Sequence, residues 1–286
     1  MRHPLVVCLA LAVLTLPADV RGQQAAAGEF VASDGVRVHY VTRGAGPPLL
    51  LLHGFALSAE LNWIGTGAVD SLAKAFTVIA PDLRGHGGSD KPHDSSAYGV
   101  RFVTDMIELL DHLHVEKAHV AGYSMGGIIA LKLIATHPGR VRSAVLAGTG
   151  WQRPGGPPPP YIVSWIAKLE TAAREHTSIA EALRPPDQPP LPAPVAAMLN
   201  RNDGAALAAV LRSASALEVS ETEVRSLTTP VHAVVGDADR GAVVLVDALR
   251  QIKPGVEVTT IPGADHRRTM SDPLVVTSIR EFALAH

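Results

Sequence analysis

Residues 117–130, KAHVAGYSMGGIIA, constrain what this chain can fold into more than any other stretch. Residues 118–121 read as a buried strand and residues 126–137 as a helix, with G-Y-S-M-G between them. A strand that reverses into a helix over so few residues forces its apex into a strained conformation. Glycines at 122 and 126 give that apex room, because a Cβ there would collide with the neighbouring element. The Ser124 hydroxyl is thereby thrust out at the carboxyl end of a strand, with a helix N-terminus behind it. An oxyanion forming at that point meets free N–H groups and the positive end of a helix dipole.

The rest of the chain supplies the frame. Residues 29–33 and 36–42 alternate apolar and polar around Asp34-Gly35, a hairpin pattern. PLLLL at 48–52 is apolar throughout and reads as a strand buried on both faces, ending in His53-Gly54-Phe55. Residues 76–80 form the next strand, residues 98–114 carry helical spacing, and residues 141–147 form a further strand. From Gly150 the rhythm breaks: GWQRPGGPPPP and RPPDQPPLPAP are too proline-rich for sheet or continuous helix, and residues 161–177 and 195–218 are helical by pattern. Strand and helix resume at Pro230, with strands at 231–235 and 256–261 and helices at 242–252 and 273–285. This predicts an α/β protein: a mostly parallel central sheet with helices on both faces, its core at 23–149 and 230–286, and a helical, proline-rich cap at 150–229.

The chain has 286 residues, 47% hydrophobic and 18% charged, with net charge −2, which gives no electrostatic reason to expect nucleic acid as a partner. Residues 1–22 begin with Arg2 and His3, continue through an apolar run at 5–16 and break at Pro17. They read as a secretory signal peptide cleaved after Gly22, and the run is short for a membrane span. Export to a periplasm or the medium, with no stable membrane anchor after cleavage, is the expectation. Cys8, the one cysteine, lies inside that run, so the mature chain would have no disulfide, thiol nucleophile or thiolate metal site.

Ligands of open α/β sheets bind outside the carboxyl ends of the strands. Four such ends carry groups suited to acyl transfer: His53-Gly54-Phe55, Ser124, Asp237 with Asp239, and His266. A serine hydroxyl needs an imidazole to take its proton, and that imidazole needs a carboxylate to fix its tautomer. Either Asp237 or Asp239 can supply the carboxylate; Gly148-Thr149-Gly150, after the preceding strand, offers none. No H-E-x-x-H or close His/Asp cluster suggests a metal, and no G-x-G-x-x-G follows a strand, so no metal or nucleotide cofactor is expected.

HGF (53–55), DLRGHGGSDKP (82–92), GYSMGG (122–127), GDAD (236–239) and GADH (263–266), in this order on strand ends, resemble the α/β-hydrolase superfamily. Within it the chain is similar to serine esterases, cofactor-free haloperoxidases and carbon–carbon bond hydrolases. The resemblance implies Ser124 as nucleophile, His266 as base and Asp239, last residue of G-x-x-D, as the acid. It implies the Phe55 and Met125 N–H groups as the oxyanion hole. It makes His53 a shaper of the oxyanion loop in preference to a second base, and His86 a hydrogen-bond partner within its own loop. His39, His93, His112, His114, His119, His137, His176 and His232 read as surface or packing residues. Asp82 and Arg84 are expected to pair. Asp237, nearer the strand end, is expected to brace its loop through backbone N–H groups. Epoxide hydrolases and dehalogenases of this fold use an aspartate where Ser124 stands, which argues against both. The expectation is a secreted serine hydrolase acting on a small carboxylic ester. Perhydrolysis or haloperoxidation and carbon–carbon cleavage by the same triad are the alternatives, and a non-catalytic ligand-binding role is less in keeping with the residues retained. Tyr161, Ile162, Val163, Trp165 and Ile166, with Trp151 at the entrance, are expected to wall the acyl pocket. Arg267 and Arg268 are expected to face solvent, with contact to an acidic substrate the alternative.

Overall fold

The computed structural model describes residues 26–184 and 189–286; the signal-peptide expectation for residues 1–22 and the placement of Cys8 lie outside them. Eight strands form one sheet: β1 (Ala26–Val31), β2 (Arg37–Arg43), β3 (Pro48–Leu52), β4 (Thr77–Pro81), β5 (Ala118–Tyr123), β6 (Val141–Ala147), β7 (Val231–Gly236) and β8 (Glu257–Ile261). Their order is β1-β2-β4-β3-β5-β6-β7-β8. The β1–β2 hairpin is antiparallel and joins β4 antiparallel, whereas every pairing from β4 through β3 to β8 is parallel. The continuous apolar run of β3 follows from that central place: Leu50 and Leu52 enter one core, Leu49 and Leu51 the other.

The helices are α1 (Ala68–Leu72), α2 (Arg101–His112), α3 (Met125–Thr136), α4 (Pro160–Glu175), α5 (Ile179–Leu183), α6 (Ala193–Leu199), α7 (Gly204–Arg212), α8 (Glu221–Ser226), α9 (Arg240–Ile252), α10 (His266–Ser271) and α11 (Pro273–Ala285). Phe102, Met106 and Leu109 of α2, Ile129 and Leu133 of α3 and Val246 and Leu249 of α9 pack on one face of the sheet. Val69 and Leu72 of α1 and Val275, Ile279 and Phe282 of α11 pack on the other.

Between β6 and β7 the described residues are helical or irregular, with α4 to α8 forming an insertion. It has a small core of its own, in which Leu169, Ile179, Leu199 and Leu207 surround Ala56 of the main domain. The helical segment expected over 195–218 is divided into α6, α7 and a short 3-10 turn at Ala214–Leu217. Asn200 and Asp203 explain the break, since both side chains bond backbone rather than stay in a helix. Asn200 Oδ1 accepts the Ala180 N–H at 2.9 Å, and Asp203 caps α7 by accepting the Ala206 N–H at 3.0 Å.

Two further expectations are corrected. Arg84 does not pair with Asp82. It is fully buried and clamps Asp105 through Nε and Nη2 at 2.6 and 2.5 Å, and it donates through Nη1 to Asp34 at 2.8 Å and to the Ala97 carbonyl at 2.6 Å. Two carboxylates from different elements satisfy the guanidinium fork better than a neighbour two residues away can. Asp82 instead accepts the N–H groups of Ala59 and Gly88, both at 2.8 Å, and meets His39 at 3.0 Å. Trp151, at the start of the insertion and expected to help wall the acyl pocket, is buried in the main core, where its indole N–H donates to the Val219 carbonyl at 2.7 Å.

Candidate active site

β5 delivers Tyr123 to the carboxyl edge of the sheet, and α3 begins at Met125, so Ser124 alone makes the turn. Its backbone has φ 52° and ψ −114°, a conformation that costs a non-glycine residue energy and persists only where its surroundings enforce it. The surroundings are tight. A Cβ on Gly122 would run into the Gly126 carbonyl, and a Cβ on Gly126 into the Leu52 carbonyl.

His266 opens α10 after β8, and Asp239 caps α9 after β7. His266 Nε2 lies 3.0 Å from Ser124 Oγ, and His266 Nδ1 lies 2.6 Å from Asp239 Oδ2. Asp239 Oδ1 accepts the Ala242 N–H at 3.1 Å, which fixes the carboxylate, and the Asp239 side chain is 10% exposed. With Asp239 ionised, the imidazole donates from Nδ1 and presents the Nε2 lone pair to the serine O–H. Asp237 does not reach this line; its Oδ1 accepts the Gly263 N–H at 2.6 Å and braces the loop that carries His266.

The second half of the site is the loop after β3. His53 is buried, accepts the Leu83 N–H at Nε2 (2.9 Å) and donates from Nδ1 to the Gly54 carbonyl at 2.8 Å. Burial holds its pKa below the ordinary value, so it stays neutral as a loop brace and has no free nitrogen for a second base. The Gly54 carbonyl also accepts the Leu57 N–H at 3.2 Å, and Asn62 Oδ1 accepts the Gly54 N–H at 2.9 Å. Because a trans peptide is planar, with C=O and N–H opposed, pinning the Gly54 carbonyl turns the Phe55 N–H the other way. Among the described residues neither the Phe55 nor the Met125 N–H donates to another group, which leaves both available to an oxyanion. His86 packs edge-on to Phe55 and His53; it is fully buried, and desolvation holds its pKa down to about 3.

From the insertion, Trp165 stacks on Phe55 at 6.1 Å and Tyr161 meets Trp165 edge-on at 5.2 Å. The other residues expected at the pocket divide: Ile166 joins the small core of the insertion, and Val163 is solvent-exposed. Arg267 and Arg268 are exposed at the surface of α10. Two contributors lie beyond the expectations drawn from the sequence. Tyr123 donates to the His266 carbonyl at 2.5 Å with its ring 5.2 Å from the imidazole, and Asn202 of the insertion donates to the Ala56 carbonyl at 2.9 Å. Tyr123 was open to inference, since a buried tyrosine hydroxyl beside the apex needs a partner. Asn202 was not.

Residues 47–223 match the sequence profile of the alpha/beta hydrolase fold, more than half of the chain. The chain belongs to that family. A 2-hydroxymuconate semialdehyde hydrolase of Pseudomonas sp. (strain CF600) is 39% identical over 124 residues, 43% of each chain. A soluble epoxide hydrolase of Corynebacterium sp. (strain C12) is 46% identical over 98 residues, 34% of this chain and 32% of the relative. The matches to such curated relatives thus span well under half of the relatives' own length. Among solved structures, a thermophilic esterase from Thermogutta terrifontis superposes with a TM-score of 0.74 at 26% identity, over 92% of this chain and 99% of that one. Membership of the alpha/beta hydrolase fold family is therefore established for the chain.

Proposed function

We propose that this α/β hydrolase is a serine hydrolase that cleaves carboxylic esters of small acyl groups through an acyl-enzyme on Ser124. One observation carries the reading: Asp239, His266 and Ser124 form a continuous hydrogen-bonded line, 2.6 and 3.0 Å long, ending on a strained serine at a helix N-terminus. His266 Nε2 takes the serine proton as Oγ attacks the ester carbonyl. The oxyanion forms between the Phe55 and Met125 N–H groups. The imidazolium, stabilised by Asp239, gives the proton to the departing alkoxide, and a water then repeats the cycle to release the acid. The Trp165–Phe55 stack sets an aromatic wall beside the oxyanion loop, which supports short or medium acyl chains.

Carbon–carbon cleavage by the same triad is the second reading, supported by the 39% identity to a 2-hydroxymuconate semialdehyde hydrolase. Epoxide opening is disfavoured because a serine occupies the apex. The test combines a fluorophosphonate probe, nitrophenyl esters of increasing acyl length and a vinylogous 1,5-diketo acid, each against wild type and Ser124→Ala. Labelling at Ser124, butyrate faster than long-chain esters, and a loss on the order of 10⁶ in Ser124→Ala support the esterase reading. Turnover of the diketo acid with esters inert favours the second, and activity above a hundredth of wild type in Ser124→Ala sinks both.

A further inference from the structure

We propose that Asn202, on the helical insertion, is a positioning residue for the oxyanion hole, acting through a relay of two peptide groups. The inference rests on the serine-hydrolase reading and adds to it a dependence of the hole on the docked insertion. Asn202 Nδ2 donates to the Ala56 carbonyl at 2.9 Å, and to the Leu199 carbonyl of its own segment at 3.0 Å. The peptide that carries the Ala56 carbonyl also carries the Leu57 N–H, which donates to the Gly54 carbonyl at 3.2 Å. The peptide that carries the Gly54 carbonyl carries, on its other side, the Phe55 N–H. Each of these groups is planar, so fixing one side aims the other. The side-chain amide thus orients the Ala56–Leu57 peptide, and that peptide orients the Gly54–Phe55 peptide toward the serine. Aligned donors in such a chain also polarise one another, which strengthens the last N–H as a donor.

Two observations say that this loop needs holding from outside. Ala56 has φ 58°, left-handed backbone that alanine rarely adopts, so nothing in its own preference keeps the turn in place. The residue is 3% exposed and belongs to the core of the insertion, with Leu169, Ile179, Leu199 and Leu207, while Phe55 lies against Trp165. The loop is therefore packed into the insertion as much as into the main domain. The main domain keeps two anchors of its own, the His53 imidazole on the Gly54 carbonyl and the Asn62 amide on the Gly54 N–H. Loss of Asn202 should accordingly tilt the Phe55 N–H and leave the hole in place.

The test uses the full chain with Asn202→Asp, which keeps the shape but replaces the donor by a carboxylate facing a carbonyl, and Asn202→Ala. Removing an oxyanion donor outright costs about 10²–10³ in kcat, so tilting one should cost about ten- to thirtyfold, with KM within about twofold. Binding of butaneboronic acid, whose tetrahedral adduct on Ser124 places an oxygen in the hole, should weaken in step with kcat, while binding of butyrate should not. Hydrogen exchange at the Leu57 amide, readable whatever the activity, should quicken in both variants. A kcat for Asn202→Asp within twofold of wild type, a kcat loss with unchanged boronate affinity, or unaltered Leu57 exchange overturns the relay while leaving the hydrolase reading intact. Failure of the wild type to react with a fluorophosphonate at Ser124 overturns the hydrolase reading and the relay with it.

Discussion

Replacing Asp239 by asparagine changes one oxygen for an NH₂ and leaves most of the local structure its partners. Asp239 caps α9, and asparagine caps helices as well as aspartate does. The Ala242 N–H still needs an acceptor at 3.1 Å, so the amide oxygen takes the place of Oδ1 and the NH₂ takes the place of Oδ2. That NH₂ then faces His266 Nδ1 at the 2.6 Å separation, where only an acceptor can answer it. The proton moves to Nε2, which now presents N–H to Ser124 Oγ and can no longer accept. A wrong tautomer of this kind costs about 10⁴ in kcat, or about 5.5 kcal/mol of transition-state stabilisation. Asp237→Asn is the control. Its oxygen accepts the Gly263 N–H at 2.6 Å, and an amide oxygen can do the same, so kcat should stay within about fivefold of wild type, with any larger effect on melting. The assay is steady-state hydrolysis of nitrophenyl butyrate at pH 7 to 8 on proteins matched by thermal melt. Asp239→Asn above a tenth of wild-type kcat, or the two losses reversed, would refute the argument and make Asp237 the acid.

Three other outcomes are expected. Arg84→Met leaves Asp105, 1% exposed, without its cation; urea unfolding should show a loss of about 3–5 kcal/mol, largely recovered by Arg84→Met with Asp105→Leu, and a loss below 1 kcal/mol would contradict the clamp. His86 is fully buried with a pKa of about 3 against about 6.5 in an unfolded chain, so below pH 6.5 the unfolded state takes up a proton that the folded state refuses. Stability should therefore be full above pH 6.5 and fall toward pH 3, this residue contributing a slope of up to about 1.4 kcal/mol per pH unit, and a His86→Phe chain whose slope is unchanged would remove His86 as the cause. Expressed with its own first 22 residues in an exporting bacterium, the protein should be recovered outside the cytoplasm with Gln23 at its N-terminus; an intact Met1 there would remove the signal-peptide reading.

Sequence by itself determined what depends on local constraint. PLLLL reads as a strand covered on both faces, and Gly122 and Gly126 as giving room to a turn in which backbone passes against backbone. Ser124, His266 and the two carboxylates could therefore be placed on strand ends before their distances were known. The tertiary structure decided what depends on partners distant in sequence. Asp237 and Asp239 differ by two positions, and the choice of His266 partner falls to Asp239 because α9 starts there and holds its carboxylate. Arg84 chose Asp105 and Asp34 over Asp82 because a buried guanidinium takes the carboxylates that its fork can reach. The insertion was legible as helical and proline-rich, but not in its detail, since the break at Asn200–Asp203 follows from side chains bonding backbone elsewhere. Asn202 and Ala56 lie 146 residues apart, and no periodicity or spacing records a contact of that kind. Local patterns encode conformation through sterics and burial, whereas one hydrogen bond between distant segments exists only once packing has brought them together.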